Sequence, residues 1–243
     1  KMAYMRTNNL TDIMGLEVIT KAQELPFIVL PTTAGTGSEV TNVAVIREEK
    51  SGVKMEFITP YLMPNVAILD PILTLTLPPK ISASTGMDAL THAIEGFSCM
   101  QKNPLSDAYA CTAIKLIMQN LELVCKEPNN KEARINMAVA STLAGLCFGN
   151  SMVGGVHAIG HSLGGVCHIS HGDAMTILLP HVMEYNKKLL FNTYASLAPI
   201  FAPNVNPNLS DMDRCNLVID IVKQLRERLH NLTGLPISLT QTG

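Results

Sequence analysis

Between Ile135 and Gly172 the chain reads INMAVASTLAGLCFGNSMVGGVHAIGHSLGGVCHISHG, a stretch without a single Asp, Glu, Lys or Arg. A membrane span needs about 20 predominantly apolar residues. This segment is broken by Asn150, by Gly154 and Gly155, and by the imidazoles of His157, His161, His168 and His171. It therefore reads as a buried helix pair of a folded domain, with no membrane as partner. The helical reading extends outward from it. Asn103 followed by Pro104 is a cap residue with proline at the first helical position, which predicts a helix running towards Val124, and another helix starts near Asn130. Ser210 with Asp213 resembles a capping box. Val218, Ile221, Val222, Leu225 and Leu229 follow one helical face, and Gly234 with Pro236 ends it. Upstream of Pro78-Pro79 the character changes. The apolar runs Phe27–Leu30, ahead of Pro31, and Val66–Leu69, ahead of Asp70-Pro71, read as strands. The expected architecture is an α/β remnant over residues 1–78 followed by an all-helical domain over 79–243.

Composition narrows the function. With 243 residues, 47% hydrophobic and 16% charged, the chain can bury sizeable cores, which excludes disorder and a disulfide-stapled miniprotein. Eighteen Lys and Arg against 20 Asp and Glu give a net charge of −2 with no basic block, so nucleic acid is not an expected partner. The six cysteines, at 99, 111, 125, 147, 167 and 215, never form C-x-x-C, and the chain lacks the basic-then-apolar start of a secretory signal. They read as reduced thiols of a cytoplasmic protein. The opening on Lys1 and the polar tail ending at Gly243 read as the limits of a piece of a longer protein.

The chemistry is concentrated in histidines. Asp88 and His92 are four residues apart in Gly86-Met-Asp-Ala-Leu-Thr-His-Ala-Ile-Glu95, so on a helix they share one face. His157 and His161 repeat that spacing, and His171 follows in Ser170-His-Gly-Asp173, where a turn can return it to the same point. A lone pair of this kind is ordinarily a helix-surface hydrogen bond. Two pairs and a further histidine in apolar surroundings point instead to one oxygen and three nitrogen ligands around a divalent cation, because an uncompensated charge there is expensive. His168 fits neither pair and reads as structural or as pocket lining, while His181 and His230 lie among surface-like neighbours. A second constellation, Pro31-Thr-Thr-Ala-Gly-Thr-Gly-Ser-Glu39, follows an expected strand and offers backbone N–H groups and hydroxyls to a phosphate or amide. It matches neither of the usual phosphate-loop patterns, and a flexible turn is the competing reading.

Pro31 to Thr41, Gly86 to Gly96 and Val156 to Gly172 resemble, in order and spacing, the signature segments of the iron-containing (group III) alcohol dehydrogenase family. The resemblance implies a dinucleotide-binding domain, of which residues 1–78 are the α/β remnant, followed by an all-α metal-binding domain, with the active site between them. It implies that the glycine-rich pyrophosphate segment lies upstream of everything present here, and that further helices follow Gly243. By motif the metal ligands are Asp88, His92, His157 and His171. His161 matches a catalytic histidine beside the nicotinamide. Thr32, Thr33, Thr36 and Lys54 match cofactor contacts, and Phe148 matches an aromatic of the substrate channel. The implied reaction transfers hydride between NAD or NADP and a small primary alcohol or aldehyde bound to Fe²⁺, with Zn²⁺ also suited to the ligand set. A homo-oligomer, most simply a dimer, is compatible with the low charge and long apolar helices. Two other classes stand beside this one: a metal-dependent hydrolase with Glu95 as the carboxylate base, and a non-catalytic truncated chain that associates with a partner subunit.

Overall fold

The structure is a computed structural model that describes residues 10–19, 21, 25–48 and 53–242; Lys1, Gly52 and Gly243, on which parts of the sequence reading fell, lie outside the described residues. Two small sheets precede the helices. The strands are β1 (Gly15–Leu16), β2 (Ile28–Val29), β3 (Val43–Arg47), β4 (Lys54–Ile58) and β5 (Val66–Ala67). One sheet has the order β1-β4-β3, with β1 parallel and β3 antiparallel to β4; the other pairs β2 with β5 in parallel. The two expected strands are thus present but only two residues long. Pro31 follows the first, and Asp70 ends the second by capping a 3-10 turn at Pro71–Thr74, accepting the Ile72 N–H at 2.9 Å. The longest strands, β3 and β4, were not singled out by the sequence reading. Their signal is a plain alternation along Lys54–Ile58, with Met55 and Phe57 buried under the hairpin together with Leu62.

From Pro79 onward the described chain is helical: α1 (Pro79–Ser98), α2 (Pro104–Lys126), α3 (Lys131–Ser151), α4 (Gly155–Val166), α5 (His171–Ser196), α6 (Ala198–Phe201) and α7 (Asp211–Thr233). The expected N-caps form, although Ser210 and Asp213 do not close a full capping box, because the Asp213 carboxylate takes the Ser210 hydroxyl. The Asn103 side chain accepts the Leu105 and Ser106 N–H groups, each at 3.1 Å, and Asn130 accepts from Ala133. At α7 the Ser210 hydroxyl accepts the Asp213 N–H at 3.1 Å and donates to Asp213 Oδ2 at 2.6 Å, and Gly234 ends the helix in the left-handed region. Helix α1 runs through the middle, packed by α2, α3 and α5, so almost its whole circumference is buried, including Leu90, Ile94 and Phe97. Burying each such side chain contributes about 1.5–3 kcal/mol.

The uncharged stretch forms α3, α4 and the start of α5. Its lower neighbour Arg134, only 3% exposed, is satisfied by the Pro128 carbonyl at 2.9 Å, Ser82 Oγ at 2.8 Å and the Leu77 carbonyl at 3.4 Å, and so ties α3 to the segment that enters α1. No single helix among the described residues is long and apolar enough to cross a membrane. Helices α3 and α4 meet that test only as a pair, and they are bent by 104° at their junction. That bend turns the histidine face of α4 back towards α1.

Candidate metal centre

Three helices deliver the cluster. Asp88 and His92 project from α1, where their four-residue spacing stacks them on one face. Helix α4 brings His157, and His171 is the first residue of α5. The position of His171 depends on its neighbours: a Cβ on Gly172 would meet the Ser84 carbonyl oxygen at 2.6 Å, so only glycine lets the start of α5 lie on α1. Ser84 Oγ then donates to Asp173 Oδ1 at 3.0 Å, and Ser170 caps the helix.

The four side chains converge on one carboxylate oxygen. Asp88 Oδ1 lies 3.7 Å from His92 Nδ1, 3.6 Å from His157 Nε2 and 3.3 Å from His171 Nε2. One ligand atom from each of Asp88, His92 and His157 falls within 4.8 Å of the others. Yet Asp88 Oδ1, His92 Nδ1 and His157 Nε2 are buried without a hydrogen-bond partner. Each such group costs about 1–3 kcal/mol, and a cluster aimed at a common point is what a bound cation satisfies. The donor set fits a divalent metal on that ground.

Electrostatics point the same way. Burial pushes the Asp88 carboxyl up, but the surrounding imidazoles of His92, His157 and His171 outweigh it and hold it well below the usual range. Burial pushes His92 down to about 3 against the pull of Asp88, so its ring is neutral and able to donate a lone pair. His157 is also opposed by burial, yet Asp88 on one side and Glu95 on the other lift it to about 9. The two carboxylates hold positive charge at His157, and a cation bound there would take the place of that proton.

Glu95 has a role the sequence reading did not give it. As a hydrolase base it would face the metal; instead, its Oε2 lies 2.6 Å from His157 Nδ1 and its Oε1 accepts the Val156 N–H at 2.6 Å. It holds His157 from behind and caps the start of α4. A signal existed, since Asp88, His92 and Glu95 follow i, i+4, i+7 spacing on one helical face.

The remaining site residues form a rim. Exposure rises from 2% at the Asp88 side chain and 3% at His157 to 22% at His161 and 30% at His171, so the cluster opens on the His161–His171 side. His161 Nδ1 lies 2.8 Å from Glu56 Oε1; burial pushes its imidazole below the ordinary value, against the pull of Glu56. Phe148 stacks on His92, ring centroids 4.3 Å apart. Lys54 reaches α4, where a Cβ on Gly164 would meet its Nζ at 2.7 Å, and its ammonium is pushed down by burial while Asp88 pulls it up.

The threonine loop is built rather than slack. Gly37 has φ 57°, donates its N–H to Ser141 Oγ at 3.3 Å, and approaches α3 so closely that an added Cβ would lie 2.5 Å from Gly145 Cα. Glu39 is buried and accepts the Thr142 hydroxyl at 2.6 Å. Thr36 Oγ1 donates to Ser38 Oγ at 3.1 Å. Thr32 and Thr36 are exposed and Thr33 half-buried. The structure does not bring these threonines into the histidine cluster; the link is the Gly35 backbone, which supports His92. The other histidines lie apart: exposed His168, at φ 59°, has Nε2 3.4 Å from Arg47 Nη2, His181 is exposed, and His230 Nδ1 donates to the Leu235 carbonyl at the end of α7. All six cysteines are free.

Comparison with known proteins identifies the family. Residues 82–237 match the Fe-containing alcohol dehydrogenase family, C-terminal, and residues 1–71 match iron-containing alcohol dehydrogenase. A 1,3-propanediol dehydrogenase of Citrobacter freundii is 39% identical over 242 residues, which is 100% of this chain and 61% of that protein. A crystal structure of a 1,3-propanediol oxidoreductase superposes with a TM-score of 0.91 at 37% identity, covering 99% of this chain and 62% of the other. A sulfoacetaldehyde reductase from Bifidobacterium kashiwanohense, solved in complex with NAD+, gives a TM-score of 0.81 at 36% identity over 97% of this chain and 59% of its own. The chain thus spans about three fifths of the length of these relatives.

Proposed function

The chain belongs to the iron-containing alcohol dehydrogenase family, and from that premise we propose that it is an oxidoreductase interconverting a small primary alcohol and its aldehyde, with NAD or NADP as hydride carrier and a divalent cation held by Asp88, His92, His157 and His171. The observation that carries this reading is the convergence of buried, unpartnered donor atoms from Asp88, His92 and His157. A bound cation would supply Lewis acidity towards the alcohol or aldehyde oxygen, and a nicotinamide would supply the hydride acceptor or donor. The chain's own residues do the positioning. Glu95 fixes the His157 ring, so that Nε2 rather than Nδ1 faces the cluster. Phe148 walls the apolar side. Thr32, Thr33, Thr36 and Lys54 hold the cofactor, and His161 stands at the mouth where substrate enters.

In this reading residues 1–78 belong to the cofactor-binding part and 79–243 to the metal-binding part. Family membership favours Fe²⁺, and the affinity order of divalent metals suits Zn²⁺ to the same donors. The NAD+ complex of the sulfoacetaldehyde reductase supports a nicotinamide cofactor. We further propose a cytoplasmic location and a homo-oligomeric, dimeric assembly. A hydrolase is disfavoured because Glu95 is committed to His157 and Val156. The experiment is an absorbance assay at the reduced-nicotinamide band with ethanol or butanol, NAD+ or NADP+ and added Fe²⁺ or Zn²⁺, alongside ester hydrolysis. Metal-dependent nicotinamide reduction supports the proposal, and metal-dependent ester hydrolysis without it contradicts it.

A further inference from the structure

Strand β4 turns two charged side chains towards α4. Alternation buries Met55 and Phe57 beneath the hairpin and leaves Lys54 and Glu56 on the opposite face. Pairing of Val45 with Glu56 and Ile46 with Met55 in the antiparallel hairpin fixes this register, and a slip of one residue would exchange Glu56 for an apolar neighbour. In that register Glu56 Oε1 lies 2.8 Å from His161 Nδ1, and the His161 ring sits 5.3 Å from that of His171 and 5.9 Å from that of His157, centroid to centroid.

An ionised carboxylate can only accept, so the imidazole nitrogen facing it must carry the proton. In the neutral ring the other nitrogen, Nε2, is then bare. His157 is built the same way one turn earlier, with Glu95 at its Nδ1 and its Nε2 in the cluster. The two carboxylates come from different elements, α1 for His157 and β4 for His161. They also serve different depths, since the His157 side chain is 3% exposed and the His161 side chain 22%.

We propose that Glu56 is a positioning residue for His161: it holds the ring as the Nδ1–H tautomer and presents a bare Nε2 at the mouth of the site, as a hydrogen-bond acceptor for the hydroxyl of the alcohol. The proposal rests on the alcohol–aldehyde reading above. It assigns a purpose to a carboxylate whose side chain is 50% exposed and would otherwise gain little from pairing with an imidazole.

The test is ¹⁵N–¹H long-range correlation spectroscopy of the chain with Zn²⁺ bound, with His161 assigned by comparison with His161→Asn, on wild type, Glu56→Ala and Glu56→Gln. Zinc content is measured on the same samples. In wild type His161 carries its proton on Nδ1. Glu56→Gln retains that pattern because its amide oxygen still accepts. In Glu56→Ala the His161 Nδ1 resonance shifts towards that of a bare nitrogen as the proton moves to Nε2, the form a free imidazole favours in water. Zinc content stays the same in all three, since Glu56 is outside the ligand set. A wild-type His161 protonated on Nε2, or a Glu56→Ala spectrum identical to wild type, overturns the proposal. Wild type that binds no zinc would contradict the metal reading instead, and the tautomer is then read on the metal-free chain.

Discussion

The carboxylate of Glu95 holds His157 Nδ1 at 2.6 Å with one oxygen and accepts the backbone N–H of Val156 at 2.6 Å with the other. One buried side chain thereby orients a candidate metal ligand and caps the helix that carries it. Replacing Glu95 with Ala should weaken metal binding about 10–100-fold, the usual effect of losing a carboxylate behind a ligating histidine. It should also destabilise the fold by about 1–3 kcal/mol through the unsatisfied N–H. Competition against a chelating indicator measures the first and urea unfolding the second; unchanged affinity would contradict the role.

Gly172 sets where His171 stands. Gly172→Ala forces a methyl group against the Ser84 backbone, which should cost about 1–3 kcal/mol as overpacking. The same shift moves His171 away from Asp88, so bound metal should fall with stability. Full metal content in a destabilised variant would separate His171 from the site.

Two glycine substitutions should act with opposite signs. Gly37→Ala meets both a positive φ of 57° and the Gly145 backbone, and should destabilise by about 2 kcal/mol or more. Gly149, near the end of α3, has nothing within 4 Å of an added Cβ, so Gly149→Ala should stabilise by about 0.5–1 kcal/mol. Thermal unfolding compares them directly, and equal effects would refute the account of the loop's docking.

Glu184 joins α5 to α7, with Lys187 and Lys223 each 2.7 Å from its carboxylate. Those ammonium groups hold its pKa below the ordinary 4.5. A depressed folded-state value means the contribution is present above about pH 4.5 and is lost as pH falls through the folded value. The Glu184 side chain is 37% exposed, so screening limits the contribution to about 0.5 kcal/mol. Wild type should exceed Glu184→Gln in unfolding free energy at pH 7, and the gap should close in acid. A gap independent of pH would show that the pair contributes no linkage.

The long helices were legible because their ends are chemical events: Asn103 before Pro104, Asn130, Ser210 and Gly234 all cap as their types demand. The histidine cluster was legible because helical spacing fixes which side chains share a face. The strands were harder. The apolar runs at β2 and β5 could be read, but not that each ladder would be only two residues long; β1 is two residues with no apolar run, and the β3–β4 hairpin carries its signal in four or five alternating positions. Glu95 and Glu56 act through partners 62 and 105 residues away; helical spacing puts Glu95 on the face of Asp88 and His92, but no local pattern names the histidine that either carboxylate holds. Gly37 and Gly172 were visible as glycines, but the backbone each must approach belongs to another helix.

The central claim is that Asp88 and three histidines make one divalent-cation site, and titration calorimetry of the chain with Zn²⁺, wild type beside Asp88→Asn, tests it most directly. The account predicts one cation per wild-type chain and thermal stabilisation by metal, about 2.7 kcal/mol when free metal is 100 times the dissociation constant. It predicts that Asp88→Asn, which removes the carboxylate shared by all three imidazoles, folds without metal and loses both effects. Equal binding and equal metal-linked stabilisation in the two proteins would contradict it.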